Sequence, residues 1–222
     1  MTVDVIEREQ AILDAAAEII IQHGYNKTTM GDVADTVGLS RGLVYLHFRS
    51  KDDLLEALIA REMQHYGQLW IDHIEADPAG GTIGSTYRSI AYALNHTPFM
   101  AAIVARDEGT FGKYLRKPGN IFESLQTPTL TDDFLKTMQA AGVVRADVDT
   151  AAMAFVMDAL SYGLVRGSVA GTMPPFTDLL ETIAEMLDRM LTPADGGNRE
   201  AGKAILRQLA ADMQAHFARL RE

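Results

Sequence analysis

The chain has 222 residues, 47% hydrophobic and 23% charged, which is the composition of a folded protein with one large or two small domains. It has no cysteine, which excludes disulfides, thiolate metal sites and cysteine nucleophiles. Its net charge of −10 taken alone argues against a nucleic-acid partner. Because no apolar run reaches the ~18 residues of a membrane helix and the N-terminus lacks a basic leader, we expect a cytoplasmic protein.

The spacing of apolar residues is helical nearly throughout, and no alternating strand pattern appears. Glycine- and proline-containing breaks separate the amphipathic stretches. The predicted helices, in chain order, cover about 8–23, 29–37, 41–48, 51–74, 83–95, 97–113, 121–126, 129–141, 149–170, 176–191 and 198–221. The sequence therefore predicts an all-α fold.

The segment 28–51 predicts a helix-turn-helix, because a short turn containing Gly38 separates two short amphipathic helices. Residues 1–65 hold six bases and eleven acids, yet 40–51 carries three bases and no acid. A short basic helix that also holds an aromatic residue suits insertion into a DNA major groove. The alternative is a surface helical hairpin with ordinary solvated charges.

The residues His23-Gly24-Tyr25, Thr28-Thr29 and the run GLSRGLVYLHFRSKDDLL over 38–55 resemble the signature of the TetR (tetracycline-repressor-like) family of bacterial transcription regulators. This resemblance implies an N-terminal three-helix DNA-binding domain over 1–50. It also implies a larger C-terminal helical domain for ligand binding and dimerisation over 51–222. Within the latter, 51–74 is the connecting helix and 198–221 is an additional C-terminal helix.

The resemblance also implies that Arg41–His47 is the recognition helix of this domain. DNA contacts are expected from Thr29, Ser40, Arg41, Gly42, Leu43, Tyr45, His47 and Lys51. Thr29 would cap the helix before the recognition helix and, with Tyr45, His47 and Lys51, contact phosphates. Arg41, Gly42 and Leu43 would read bases, Arg41 by a bidentate bond to guanine. Leu43 and Leu46 depart from the family's usual residues, and Leu43 either meets a thymine methyl or fills space.

Aromatic and methionine side chains between residues 66 and 166 are candidates for an adaptable apolar pocket. These candidates are Trp70, Phe99, Met100, Phe111, Phe134, Met138, Phe155 and Tyr162. The alternative for each of them is ordinary core packing. His65, His73 and His96 lack metal-ligand spacing, so we predict no metal and no cofactor.

Small residues recur every four positions along the predicted helix 149–170, which favours close helix–helix approach in a homodimer. Together with the apolar stripe of 176–191 they predict an intersubunit four-helix bundle. The interface candidates are Ala159, Gly163, Gly167, Leu180, Ile183 and Leu187. A kink at Gly163 and a helix end at Gly171 are the alternatives for the glycines.

Together, these features predict a regulator, by family habit a repressor, released from a pseudo-palindromic DNA operator by a small, largely apolar effector. One alternative is a dimeric regulator without a small-molecule ligand. An all-helical enzyme is the least favoured alternative, because the chain has no HExxH, GxSxG or phosphate-binding GxxxxGK[ST] motif.

Overall fold

The computed structural model describes residues 3–124, 131–166 and 174–219, and these residues form helices and no strand. The all-α prediction is therefore confirmed. The elements are α1 (Val3–His23), α2 (Met30–Val37), α3 (Arg41–His47), α4 (Lys51–Ala76), α5 (Ile83–His96), α6 (Pro98–Ala105), α7 (Glu108–Phe111), a 3₁₀ turn (Gly112–Arg116), α8 (Ile121–Ser124), α9 (Thr131–Ala140), α10 (Thr150–Arg166), α11 (Phe176–Leu191) and α12 (Arg199–Arg219).

The prediction of one helix over 97–113 is wrong, because the chain leaves the helix after Ala105. Arg106 has a left-handed backbone, with a φ of 47°. The Asp107 carboxylate then accepts the backbone N–H of Thr110 at 2.7 Å and begins α7. A short acid that bonds nearby backbone groups competes with helix continuation. The predicted helical residues at 125–126, 129–130, 167–170 and 220–221 lie outside the described residues.

The described chain divides into two compact units. The first combines 3–63 with 99–124, and the second combines 64–98 with 131–219. The long helix α4 contributes its first half to one unit and its second half to the other. The segment 99–124 therefore packs in the same unit as α1–α3.

The core of the first unit is built from the apolar stripes of its helices. The fully buried side chains include Ile12, Ala16, Ile20, Val33, Ala34, Val44, Leu54, Leu55 and Leu58. The small Ala34 lies at the centre of α2, where it lets the neighbouring helices approach. This packing fixes α2 and α3 on α1 and α4, so α3 has one inward and one outward face.

The second unit is held by α5 against α11 and by a shared apolar core. Its buried members include Trp70, Ile74, Leu135, Met138, Ala154, Leu187, Leu206 and Ala210. Asp188 of α11 accepts hydrogen bonds from the Thr82 hydroxyl at 2.8 Å and the Gly84 backbone N–H at 3.2 Å, and pairs with Arg88 at 2.7 Å. These bonds provide hydrogen-bond partners for polar groups at the N-terminus of α5 and fix the register of α5 on α11.

The C-terminal helix α12 covers the second unit within a single chain. Its Leu206 and Ala210 join the core, and the buried Lys203 ammonium donates to the Glu75 carbonyl oxygen at 3.0 Å. Gly202 lies directly against the backbone of Gly81. A Cβ at Gly202 would collide with the Gly81 carbonyl oxygen. The close approach of α12 to Gly81 therefore requires a glycine at this position.

Candidate nucleic-acid interface

Two short helices meet across a tight turn in the first unit. Thr29 begins α2 with a reciprocal cap, in which its hydroxyl accepts the Asp32 N–H at 3.2 Å and its own N–H donates to the Asp32 carboxylate at 2.8 Å. Gly38, with a φ of 73°, ends α2, and the Ser40 hydroxyl accepts the Leu43 N–H at 3.3 Å to begin α3. The predicted helix-turn-helix is confirmed.

The inward face of α3 is apolar and fully packed. Val44 and Phe48 are buried against the rest of the first unit. Because successive helical residues turn by about 100°, the direction opposite these two is centred on Gly42 and Leu46. Leu46 is 81% exposed, and Leu43 and Tyr45 on either side of it are also exposed. The outward face of α3 therefore carries no formal charge.

The predicted cations lie beside this face. The Arg41 guanidinium packs over Gly31 of α2, so closely that a Cβ on Gly31 would come within 2.6 Å of it. The Lys51 ammonium donates to the carbonyl oxygens of Tyr25 and Thr28 at 2.8 and 2.9 Å. Burial lowers the pKa of Lys51, with the nearby Asp52 carboxylate opposing the shift. The Lys51 ammonium also lies over the Tyr25 ring, 4.1 Å from its centroid.

The structure gathers the eight predicted DNA-contacting residues around α3 and the start of α2. Those on the surface are Thr29, Ser40, Arg41, Gly42, Leu43 and Tyr45, and those half-buried are His47 and Lys51. DNA contact by these residues stays a prediction. Leu46 was not among them, although its helical phase relative to Val44 would have indicated an outward side chain.

The segment 107–117 braces the helix-turn-helix from within the same unit. The Tyr25 N–H donates to the Thr110 carbonyl oxygen at 2.7 Å, and the Tyr25 hydroxyl donates to Asp52. The Tyr114 hydroxyl donates to Glu56 at 2.8 Å, and Lys117 pairs with Asp52. Burial, aided by these carboxylate partners, raises the pKa of Tyr25 and Tyr114 well above the ordinary value, so both phenols stay protonated donors.

The second unit holds an open cleft of about 690 Å³ between α4, α5 and α11. The residues that line it mostly have polar or charged side chains, but apolar atoms form more of its exposed surface: His73, Ala76, Asp77, Arg88, Ala91, Tyr92, Asn95, Thr177, Asp178 and Glu181. The Tyr92 ring stacks on the His73 ring with centroids 4.2 Å apart. The cleft therefore offers one aromatic surface surrounded by hydrogen-bonding and charged groups.

None of the seven pocket candidates with described side chains lines this cleft. Phe99, Met100 and Phe111 are buried in the first unit, where Phe111 contacts Phe99 and Phe122 edge to face. In the second unit Trp70 and Met138 are core residues and Phe134 packs against that core. Phe155 is 76% exposed on α10, and the Tyr162 side chain lies outside the described part. The spacing of apolar residues predicts which helix faces are apolar, but it does not predict in which unit a side chain is buried.

The interface candidates on α11 need a correction. Leu180, Ile183 and Leu187 are buried inside the second unit of a single chain, because the apolar stripe of α11 packs on α5. Ala159 and Gly163 of α10 are exposed, and Gly167 lies outside the described residues. Among the described side chains of α10 and α11, the large apolar ones left exposed are Phe155, Val156, Met186 and Met190.

Among the described residues, no three histidine, aspartate or glutamate side chains are grouped so as to hold a metal ion. No helix in that part of the chain has the length and apolar character needed to cross a membrane.

Two short helices joined by a glycine turn, with the second exposing one face, define a helix-turn-helix protein. Residues 12–58 match the family model described as bacterial regulatory proteins, tetR family. The chain is 25% identical to the transcriptional regulator YvkB of Bacillus subtilis, over 60% of this chain and 69% of that one. It is 26% identical to the transcriptional repressor Rv1474c of Mycobacterium tuberculosis, over 75% and 85%.

The fold is also that of a solved regulator. The structure of FadR from Bacillus subtilis in complex with stearoyl-CoA matches with a TM-score of 0.56 and 20% identity, over 80% of this chain and 96% of that one. Residues 12–58 thus form a helix-turn-helix domain of the TetR type, and the chain is similar to transcriptional regulators of this class.

Proposed function

We propose that the protein is a dimeric repressor that binds a pseudo-palindromic operator through α3 and leaves it when a small molecule binds. The observation that carries this proposal is the outward face of α3, which is exposed and held rigidly by the buried Val44 and Phe48. Hydroxyl and imidazole donors of Tyr45 and His47 flank it, as phosphate contacts at a groove edge require. Two such helices about 34 Å apart would enter successive major grooves.

Dimerisation is supported by the apolar surface of α10 and α11. Phe155 stands out from α10 with Val156 beside it, and Met186 and Met190 are exposed on α11. Large apolar side chains left exposed on each of these helices mark candidate interaction surfaces. The pair α10 and α11 from two subunits would form a four-helix bundle and bury these side chains.

The response to an effector is supported by a fold shared with FadR, which was solved with stearoyl-CoA. The cleft beside Tyr92 and Arg88 presents both apolar surface and charged or hydrogen-bonding groups. We therefore place an amphipathic ligand there. His73 and Ala76 of the cleft lie on α4, whose first turns belong to the helix-turn-helix unit. A ligand that favours one tilt of α4 would shift the protein away from the DNA-binding state.

The proposal is tested by titrating the protein into labelled operator DNA at 50 and 200 mM salt. With about six phosphate contacts, affinity is expected to fall about a thousandfold over that range. Adding stearoyl-CoA as an amphipathic probe is expected to release the DNA from the wild type and not from Tyr92→Ala. Salt-independent or absent DNA binding would contradict regulation through α3. Tight binding unaffected by amphipathic ligands would favour a regulator without a small-molecule ligand.

A further inference from the structure

The centre of the outward face of α3 is a leucine, although charged residues are present on both sides of it in the sequence. We infer that Leu46 is a specificity-determining residue that reads the C5-methyl group of thymine in the major groove. This inference rests on the proposed function, since it assumes that α3 enters the groove. Beyond the proposed function, it specifies the base that is read and the side chain that reads it.

Within the described part of the chain, Leu46 is exposed to solvent rather than packed in a core. At 81% exposed, it is the most exposed of the large apolar side chains in the described part. It lies opposite Val44 and Phe48, which hold α3 in place. Replacing Leu46 should therefore leave stability nearly unchanged, as for other exposed positions.

The shape of the face brings Leu46 to the bases. Gly42 lies one turn before Leu46 on the same face, and a Cβ there would meet nothing nearer than the Ser40 hydroxyl, 3.9 Å away. The helix surface is thus recessed at Gly42, which lets α3 approach the DNA closely. The Leu46 side chain projects beyond this recess. Leu43, three residues before Leu46, extends the apolar surface to one side.

The chemistry of the face selects thymine. Arg41 lies over Gly31, and Lys51 is bonded to two backbone carbonyls, so neither cation occupies the centre of the face. Leucine can neither donate nor accept a hydrogen bond. Among the base edges in the major groove, the thymine C5-methyl is the apolar group. An apolar side chain at the centre of the face therefore distinguishes thymine from the other bases by this methyl group.

The test replaces each thymine of the operator, recovered by selecting DNA fragments that bind the full chain, with deoxyuridine. This substitution removes the methyl group and keeps every hydrogen bond. For the thymine read by Leu46, wild-type affinity is expected to fall about fourfold per half-site, the equivalent of one methyl group left unburied. Leu46→Ala is expected to bind the thymine operator more weakly and to show no further loss with deoxyuridine. Ile21→Ala, an exposed residue of α1, should keep the full thymine dependence.

The inference is overturned if no deoxyuridine substitution weakens the wild type, or if Leu46→Ala keeps the wild-type penalty at every position. Unchanged helical signal and melting temperature in Leu46→Ala establish that any loss of binding is local. Failure of the proposed function looks different, because selection would then recover no operator at all. If an operator is recovered and the Leu46 coupling is absent, only the assignment of Leu46 fails.

Discussion

Replacing Phe155 by glutamate is expected to give a monomer and to lower operator affinity by at least a hundredfold. Phe155 is 76% exposed on α10 within the described part of the chain. In a two-fold symmetric interface the residue is buried twice, so the substitution removes two aromatic side chains and places two carboxylates in an apolar contact. A monomer presents one α3 and contacts one half-site. Light scattering after size-exclusion chromatography and an operator titration measure both effects.

The matched control is Met213→Glu, which places the same charge at an exposed apolar position on α12. This variant is expected to remain dimeric and to bind the operator as the wild type does. If both substitutions dissociate the dimer, added negative charge alone is sufficient to cause dissociation, wherever it lies on the surface. If Phe155→Glu stays dimeric with wild-type affinity, the subunits do not meet on this face of α10.

Replacing Gly24 by alanine is expected to lower the free energy of unfolding by about 2–5 kcal/mol. Gly24 has a φ of 80°, and a left-handed backbone costs a residue with a Cβ about 1–2 kcal/mol. A Cβ at Gly24 would also lie 2.5 Å from the Gly109 carbonyl oxygen, and relieving such a collision costs about 1–3 kcal/mol. The relief would move the turn away from the segment that braces it. Urea unfolding measures the loss.

Gly38 provides the control for backbone strain alone. Its φ is 73°, close to that of Gly24, yet a Cβ there would have no atom within 4 Å. Gly38→Ala is therefore expected to cost only the strain, about 1–2 kcal/mol. Equal losses for the two variants would show that the close approach of Gly24 to Gly109 contributes nothing to stability.

Strong local signals made most helices predictable. The predicted helix 176–191 has the observed bounds of α11, because its apolar stripe is regular and prolines precede it. The break at Arg106 was missed since the sequence there is helical in composition. The left-handed backbone of Arg106 and the bond from the Thr110 N–H to the Asp107 carboxylate mark the start of a new helix.

The site was less predictable than the fold, because periodicity shows that a face is apolar and not what covers it. Leu187 and Phe155 both lie on apolar stretches of the second unit. Leu187 is buried on α11, which packs on α5, whereas Phe155 is exposed on α10. The charges of α3 illustrate the same limit. The sequence shows three cations near the helix, whereas the structure places Arg41 over Gly31 and leaves Leu46 at the centre of the outward face.

If two copies of α3 read two half-sites of one operator, the full chain should select a two-fold symmetric sequence from a random pool of DNA fragments. Sequencing of the bound fragments is expected to show an enriched inverted repeat, with half-site centres about one helical turn, or a whole number of turns, apart. An unenriched pool, or an enriched sequence without two-fold symmetry, would contradict the reading of two half-sites.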